Sequence, residues 1–381
     1  MRIDSGLHAH AGSIEGYPNI AEWVDQAAFC DEAGFFGVWS AEHHFFWDGW
    51  STPTPTNGLM VEAHIAARTS RIRLGQCGNA INDWHPIRLA EDAAMLDHMS
   101  GGRLDFGIMR GLNNRVAGNF HPDADRRDLA RANGRMWESL EVVRKAWTGK
   151  PFSHDGQFFQ FPYPGWVDES EGSADPDYYS SNGELIALAV QPSPLQQPSP
   201  PVWLMADSPG SHVEAAKRAV NVLAWGRSAR AARESWDAYY AAYKALDPAQ
   251  RAAGGGRVAL MRFVYVAETM AEAERVGRPA VNELFGHMGP AKNLAWGRKG
   301  MIASDETLSD DDLNSDWFDY LRKIEWAIVG TPAYVTEKLR KLEAEIALEH
   351  LVQYWSVAAL APQELRRSQD LFAEHVLPNF R

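Results

Sequence analysis

The sequence has few cysteines, no cluster of basic residues and no long apolar run. Only two cysteines occur among 381 residues, which excludes a disulfide framework and fits a reducing compartment. A net charge of −13 without a Lys/Arg cluster argues against nucleic acids and anionic membranes as partners. The start MRIDSGLHAHAGS lacks a signal-peptide pattern, and no apolar run approaches transmembrane length, so we expect a cytoplasmic protein.

Short motifs for dinucleotides and nucleoside triphosphates are also missing. The segment GGGR at 254–257 has neither the spacing nor the strand-to-helix context of a dinucleotide fingerprint. No P-loop and no nucleophile elbow occur. The sequence therefore gives no sign of a nicotinamide-binding domain, of ATP chemistry or of a serine hydrolase.

What the sequence does contain is a regular alternation of strand and helix patterns. Such alternation is typical of a parallel sheet with crossover helices, and eight strand–helix units predict an α/β fold, a (β/α)8 TIM barrel. The predicted strands lie in RIDSGLHA, FFGVWSAEHHF, RIRLGQCGNAI, RLDFGIMRGL, PVWLMAD, NVLAWG, RVALMRFVYVA and HLVQYWSVA.

Two segments interrupt this alternation without dividing the chain. Residues 151–200 contain FSHDGQFFQF, which predicts a hairpin, and the proline-rich QPSPLQQPSPP. Because the alternation resumes at once, we interpret this segment as an insertion over the carboxyl-terminal mouth of one domain covering residues 1–381. Residues 286–315 form a second long connection, which we predict to be a lid because long loops in compact barrels are usually functional or disordered.

Barrel enzymes carry their chemistry at the carboxyl ends of the strands. One predicted strand ends in Glu42, His43 and His44, within VWSAEHHF. The pair of histidines fits a hydrogen-bonded structural pair, but it equally fits an acid/base site, because a neutral histidine beside an orienting carboxylate is a suitable general base. The tripeptide alone leaves both interpretations open.

The two histidines of LHAH, His8 and His10, lie at the end of the first strand and could bind a metal such as zinc. The later strands lack the Lys, His and Asp ligands that a barrel metallohydrolase needs. Glu42, His43 and His44 are adjacent strand residues, whose side chains point to opposite faces. We therefore predict no metal site.

Two further strand ends predict a phosphate site. Arg110 directly follows an apolar strand, and an arginine at the mouth suits a phosphate or a carboxylate. Ser208 and Pro209 are typical of the first turn of a helix, whose free N–H groups attract anions. An arginine paired with a loop carboxylate and an ordinary helix cap would explain the same residues. Together with the missing nicotinamide motif, the pattern favours a mononucleotide cofactor.

At this point the motifs resemble those of the bacterial luciferase-like family of flavin-dependent monooxygenases over nearly the whole chain. The resemblance implies a (β/α)8 barrel that uses reduced FMN and O2, with the reduced flavin supplied by a separate NAD(P)H:flavin reductase. It rests on VWSAEHHF, HPIRLAEDAAMLDHMSGGRLDFGIMRGL, PVWLMADSPGS, IVGTP and LFAEHVLPNF.

The same resemblance assigns roles to individual residues. His43 corresponds to the catalytic histidine, although the sequence does not decide whether His43 or His44 faces the flavin. Cys77 and Gly78 align with a non-proline cis peptide beneath the flavin ring. Met109, beside the flavin, replaces a cysteine of the light-emitting enzymes. The phosphate-binding positions correspond to Arg110, Arg131, Asp207, Ser208 and Ser211.

We therefore predict a two-component FMN-dependent monooxygenase, and a homodimer, that oxygenates a small and largely apolar molecule by hydroxylation or a Baeyer–Villiger reaction. A deazaflavin-dependent oxidoreductase is the alternative within the fold. A non-catalytic flavin-binding or partner subunit is an alternative from a different class, and a zinc hydrolase comes third.

Overall fold

The computed structural model describes residues 1–7, 20–45, 55–111, 114–168, 175–286, 297–354 and 360–380. Eight parallel strands close into a barrel, because each strand pairs with the next and the last pairs with the first. In chain order they are β1 Arg2–Gly6, β2 Gly37–Ser40, β3 Arg73–Gln76, β4 Leu104–Met109, β5 Val202–Met205, β6 Asn221–Ala224, β7 Val258–Val266 and β8 His350–Tyr354. The predicted (β/α)8 architecture is confirmed.

Two short strands lie beside this barrel, and helices surround it. Asn79–Ala80 pairs with β4, and Ala327–Gly330 pairs with β7. The helices are Ile20–Ala33, Gly58–Arg68, Pro86–Ser100, Asn114–Phe120, Leu129–Trp147, Pro209–Ala216, Ala229–Lys244, Pro248–Ala252, Met270–Gly286, Asp310–Asn314, Trp317–Lys323, Pro332–Ile346 and Pro362–Leu371. Within the described residues, no helix is both long and apolar enough to cross a membrane.

The helix ends follow the sequence signals. Asn57, Asp128 and Thr331 each accept a backbone N–H at a helix start, as short polar side chains do. Helix Pro86–Ser100 ends at Gly101, whose φ of 69° lies in the left-handed region that glycine adopts without strain. These signals place each strand's carboxyl end at the same side of the barrel.

The strands are buried on both faces, so the protein has two apolar layers. One layer packs the outer face of the strands against the helices, and the other includes side chains from five strands inside the barrel. Trp39 and Trp203 meet edge to face inside, with ring centroids 5.5 Å apart. A Cβ at Gly75 would lie 2.7 Å from the Trp39 ring, so the width of that indole requires glycine at this position.

The insertion predicted at 151–200 reaches the mouth with one part only. His154–Asp155 and Gln160–Phe161 form the predicted hairpin, and the Phe161 ring packs 5.5 Å from His85, at the start of a helix. By contrast, the Gln196 side chain donates to Leu104 O at the start of β4. The proline-rich part therefore packs at the amino-terminal end of the barrel and not over the mouth.

The segment predicted to be a lid is packed where the structure describes it. Arg298 is 1% exposed, and its guanidinium lies 4.7 Å from the centroids of both Trp317 and Tyr320. Met301 is buried, and its carbonyl accepts the Ser228 N–H at 2.6 Å. Arg298 and Met301 are thus packed into the fold, whereas Leu294 and Trp296 lie outside the described residues, and a lid in this segment stays a prediction.

Candidate active site at the carboxyl ends of the strands

Four apolar side chains form a floor where β3, β4, β5 and β6 end. Cys77, Met109, Met205 and Trp225 are each only partly buried, unlike the strand residues that precede them. The peptide bond between Cys77 and Gly78 is cis, as the resemblance implied. A Cβ at Gly78 would approach the backbone of Ile108 to 2.8 Å, so only glycine fits here. The floor offers an apolar surface to a flat ring.

A buried polar network supports this floor from below. The Glu62 carboxyl is fully buried and accepts from the Ser40 hydroxyl at 2.6 Å and from the Gln76 amide. Gln76 Oε1 in turn accepts from Asn79 at 3.1 Å and from the Gly107 N–H at 3.1 Å. Burial raises the pKa of Glu62 to about 8. The network connects the ends of β2, β3 and β4 and so fixes the position of the floor.

Glu42 holds the polypeptide around the end of β2. Its carboxylate is 2% exposed and accepts from the Ala80 N–H at 3.1 Å and the Trp84 indole at 3.2 Å. The His44 Nε2 lies 2.7 Å from the same carboxylate. The carboxylate predicted to orient a catalytic histidine therefore contacts His44 and the loop after β3.

His43 differs from His44 in its environment. Burial, and then the proximity of His44, lowers the pKa of His43 to about 4, so the imidazole is neutral at physiological pH. A neutral imidazole can accept a proton at one nitrogen and donate a hydrogen bond from the other. This side chain suits a proton acceptor better than the near-neutral proton shuttle that its ordinary pKa suggested.

Arg110 is held on one side only. Its Nη1 donates to Asn133 Oδ1 at 2.7 Å, whereas its buried Nε has no hydrogen-bond partner among the described residues. Burial and the nearby Arg126 guanidinium lower the pKa of Arg110. Two neighbouring guanidinium groups, one of them partly buried, repel each other and would be stabilised by an anion. Sequence reasoning missed Arg126 and Asn133, since neither belongs to the quoted motifs.

Arg131 is engaged elsewhere. Its Nε donates to Asp123 Oδ1 at 2.7 Å, and its guanidinium lies 5.2 Å from the centroid of the Phe158 ring in the hairpin. The structure thus gives this arginine a carboxylate partner, and its contact with a phosphate stays a prediction.

The loop after β5 combines a structural carboxylate with a capped helix. Asp207 Oδ1 accepts from the N–H groups of Trp225 at 2.7 Å and Gly226 at 3.0 Å, which ties the ends of β5 and β6 together. Ser208 caps helix Pro209–Ala216 and lies 2.7 Å from the Ser211 hydroxyl. Since β4 and β5 are paired neighbours, this helix start and Arg110 follow adjacent strand ends.

An aromatic wall completes the mouth beyond β6. The Trp225 ring stacks on Phe285 with centroids 5.4 Å apart, and Trp326 packs edge to face against both rings. Trp317 lies 5.1 Å from Phe285, and Tyr354 lies 6.4 Å from Trp326. Such a wall favours an apolar or aromatic ligand.

Some predicted positions lie outside the described residues, namely His8, His10 and Trp355. Across the part of the chain that the structure describes, no three His, Cys, Asp or Glu side chains are grouped so that they could hold a metal ion. Two cavities, of about 520 and 460 Å³, are lined by residues outside this site, one beside Asp305 and Lys323 and one beside Met1 and Phe380.

Comparisons with known proteins agree with this geometry. A family model described as luciferase-like monooxygenase matches residues 1–349. The oxygenase component of a flavin-dependent trigonelline monooxygenase from Acinetobacter baylyi is 26% identical over 367 residues, which cover 94% of this chain and 89% of that protein.

Two solved structures share the fold at lower identity. The oxygenating constituent of 3,6-diketocamphane monooxygenase from Pseudomonas putida, in complex with FMN, is 20% identical, with a TM-score of 0.69 over 99% of this chain and 98% of that one. An F420-dependent secondary alcohol dehydrogenase is 15% identical, with a TM-score of 0.68 over 100% of this chain and 99% of that one. At these identities the likeness establishes the fold alone.

Proposed function

Because the chain belongs to the luciferase-like monooxygenase family, we propose that it is the oxygenase component of a two-component system that uses reduced FMN and O2. The match to the family model and the named relatives confirm two predictions from the sequence, namely the family and a flavin-dependent monooxygenase. The choice of FMN, the reductase and the substrate are our proposals.

The observation that carries the choice of FMN is the arrangement around Arg110. The buried Nε of Arg110 has no partner among the described residues, and a second guanidinium, at Arg126, lies nearby. This arrangement favours the binding of a compact anion. The terminal phosphate of FMN is such an anion, and charge-assisted bonds to arginine are among the stronger hydrogen bonds. Asn133 would hold Arg110 in place from the other side.

The neighbouring loop would supply further contacts. Ser208, Ser211 and the N–H groups at the start of helix Pro209–Ala216 would hold the phosphate from the β5 side. Asp207 would act indirectly, because its carboxylate accepts from the Trp225 and Gly226 N–H groups and so positions the backbone at the end of β6. The net charge of −13 disfavours the binding of a deazaflavin, because the chain would repel the polyanionic tail of that cofactor.

Reduced FMN would supply the electrons that activate O2, and the protein would supply position and proton control. The apolar floor at Cys77, Gly78 and Met109 would take the ring system. His43, neutral and desolvated, would accept or share a proton close to the reacting atoms. The side chains packed around the mouth would limit the access of water.

The aromatic wall supports a small and largely apolar substrate. Trp225, which is partly exposed, would contact it on the β6 side of the mouth, and the buried Phe285 and Trp326 rings would hold Trp225 in place. The relative from Acinetobacter baylyi is named for trigonelline. We propose that this chain also acts on a small organic molecule, by hydroxylation or a Baeyer–Villiger reaction.

The remaining parts of the proposal concern partners and location. The named relative is an oxygenase component, which supports a separate NAD(P)H:flavin reductase that supplies reduced FMN here. We further propose a homodimer in the cytoplasm, in which all residues from 1 to 381 belong to one barrel domain.

Oxygen consumption with chemically reduced FMN, measured across a panel of apolar and aromatic substrates with product mass as readout, tests this function. We expect one oxygen atom to enter a product in the presence of FMN. Hydride transfer from a reduced deazaflavin without oxygen incorporation would replace the proposal with the alternative oxidoreductase. Flavin binding without turnover on any substrate would favour the non-catalytic subunit.

A further inference from the structure

Asn82 is a fully buried residue for which the proposed reaction has no role so far. It lies in the middle of the short 3₁₀ turn Ile81–Asp83. Its Nδ2 donates to Arg110 O at 3.3 Å and to Ala132 O at 3.0 Å. Because both partners are carbonyl oxygens, the amide must present its NH2 group to them. One side chain therefore connects three segments, namely this turn, the loop after β4 and the helix that contains Ala132.

Arg110 is anchored at two points. Asn82 binds its backbone carbonyl, and Asn133 Oδ1 accepts from its guanidinium at 2.7 Å. Since Asn133 directly follows Ala132, both anchors are attached to the same turn of one helix. Neither anchor uses the buried Nε of Arg110, which has no partner among the described residues. A long and flexible side chain that is held in this way loses less conformational entropy when it binds an anion.

The segment that carries Asn82 also connects Arg110 with the apolar floor. It begins at Cys77–Gly78, which belong to the floor. Strand Asn79–Ala80 then pairs with Ile108–Met109 at the end of β4, directly before Arg110. The bond from Asn82 to Arg110 O extends this contact beyond the end of β4. The segment therefore sets the distance between the guanidinium-bearing residue and the floor.

We propose that Asn82 is a positioning residue for the cofactor phosphate and that, through Arg110, it makes the chain select FMN over riboflavin. This inference rests on the proposed function, because it takes the phosphate of FMN as the ligand of Arg110. Asn82 holds Arg110 at the distance from the floor that the ring and the phosphate of one FMN molecule span. The amide N–H groups of Asn82 are used by carbonyl oxygens, so this residue acts on the phosphate only through Arg110.

A purely structural role for Asn82 has a different consequence. Riboflavin has the ring and the ribityl chain of FMN but no phosphate, so a charge-assisted bond to Arg110 distinguishes the two ligands. Loss of a residue that only stabilises the fold weakens the binding of both flavins to the same extent. Loss of a residue that positions Arg110 weakens the binding of FMN alone. The ratio of the two affinities therefore separates the two roles.

Anaerobic titration with reduced FMN and with reduced riboflavin, followed by fluorescence, measures this ratio. We expect the wild type to prefer FMN at least about tenfold, since it alone makes the charge-assisted bond. Asn82→Ala should weaken FMN binding about fivefold, as for one neutral hydrogen bond, and change the riboflavin affinity less than about twofold. If Asn82→Ala does not fold, Asn82→Ser, which keeps one donor, should still lower the ratio at least about twofold. Equal weakening of both flavins in the folded variant would overturn the proposal.

Asn221 provides a matched control at the amino-terminal end of the barrel. It is 1% exposed, its Nδ2 donates to Val202 O at 3.0 Å, and its Oδ1 accepts from the Arg257 N–H at 3.1 Å. Asn221→Ala should therefore lower the stability of the fold but leave the ratio of the FMN and riboflavin affinities unchanged. A change of the ratio as large as in Asn82→Ala would show that the ratio reports stability, and the positioning role would fall.

A double-mutant cycle tests whether Asn82 acts through Arg110. Arg110→Ala should abolish the preference for FMN, and adding Asn82→Ala should then change FMN affinity less than about twofold. A further loss of about fivefold in this background would show that Asn82 acts independently of Arg110, which contradicts the proposal. If Arg110→Ala keeps the wild-type preference, the phosphate assignment of the proposed function fails, and this inference fails with it. If Arg110→Ala loses the preference while the folded Asn82→Ala keeps it, this inference alone fails.

Discussion

Two arginines flank strand β4, and the fold treats them in opposite ways. Arg103 lies at its amino-terminal end and makes five side-chain hydrogen bonds, to Ser100 O, Thr69 Oγ1, Ile72 O, Ala66 O and Thr69 O. Arg110 lies at its carboxyl-terminal end, and among the described residues its side chain makes one hydrogen bond, to Asn133. The same residue type on the same strand is satisfied by the protein at one end and left available for an anion at the other.

The histidines repeat this difference between the two ends of the barrel. His350, at the start of β8, lies 2.6 Å from the Asp4 carboxylate and packs edgewise against Trp203 at 5.4 Å. His43, after β2, is desolvated and neutral. We infer that polar groups at the amino-terminal end stabilise the fold, whereas those at the mouth are positioned for chemistry.

Separate replacement of His43 and of His350 by alanine should give the largest effects and should distinguish a role in catalysis from a role in stability. His43→Ala should lower kcat about 10²–10⁴-fold, the usual range for loss of a general acid or base, while FMN affinity and Tm stay close to wild type. His350→Ala should lower stability by roughly 1–3 kcal/mol, because the buried Asp4 carboxylate loses one of its two hydrogen-bond partners and keeps only the Trp39 indole, and should keep turnover per folded molecule. Product formation by His43→Ala at the wild-type rate would refute the catalytic assignment.

The arginine at the amino-terminal end provides the next largest effect. Arg103→Ala removes five hydrogen bonds to the ends of two helices and to Ile72, just before β3, so we expect a loss of the order of 3 kcal/mol in the free energy of unfolding. Denaturant unfolding measures this loss, and FMN titration of the folded variant should give the wild-type affinity. A variant with the stability of the wild type would show that these hydrogen bonds do not stabilise the amino-terminal end of the barrel.

At the mouth, Arg110→Ala should weaken the binding of FMN at least tenfold, since a lost charge-assisted bond costs about 1.5–3 kcal/mol. Anaerobic titration with reduced FMN, followed by fluorescence, measures the affinity. Unlike Arg103→Ala, this variant should not lose stability in the absence of flavin, because Arg110 is desolvated and makes few bonds. Unchanged affinity in a folded variant would contradict the phosphate assignment.

The sequence predicted those features that depend on periodicity or on contiguous motifs. The strands, the hairpin at His154 and the cis bond at Cys77 were all found in this way. Contacts between distant segments were not predictable. Arg131 and Asn133 are two apart on one helix and cannot face the same neighbour, and only the folded helix shows that Asn133 is the one that contacts Arg110.

The same limit applies to Arg298, whose environment depends on packing that only the folded chain produces. The charged residues of 297–315 suggested a mobile surface, but Arg298 is buried between two aromatic rings. Composition alone does not distinguish a solvated charge from one packed on aromatic rings.

Arg131 gives the smallest expected effect and the sharpest test of the comparison. It lies on the mouth side, yet it has a partner in Asp123, at 2.7 Å, and 43% of its side chain is exposed. If the flavin site is formed by groups that lack a partner within the protein, Arg131→Ala should change FMN affinity less than about twofold. The free energy of unfolding should change by less than about 1 kcal/mol, as expected for an exposed ion pair. Asp123→Asn breaks the same pair from the other side and should give the same small stability change. Arg131→Ala could instead weaken FMN binding as strongly as Arg110→Ala does. Arg131 would then have to leave Asp123 and contact the phosphate when FMN binds. That result would show that an arginine paired with a carboxylate can still belong to the flavin site.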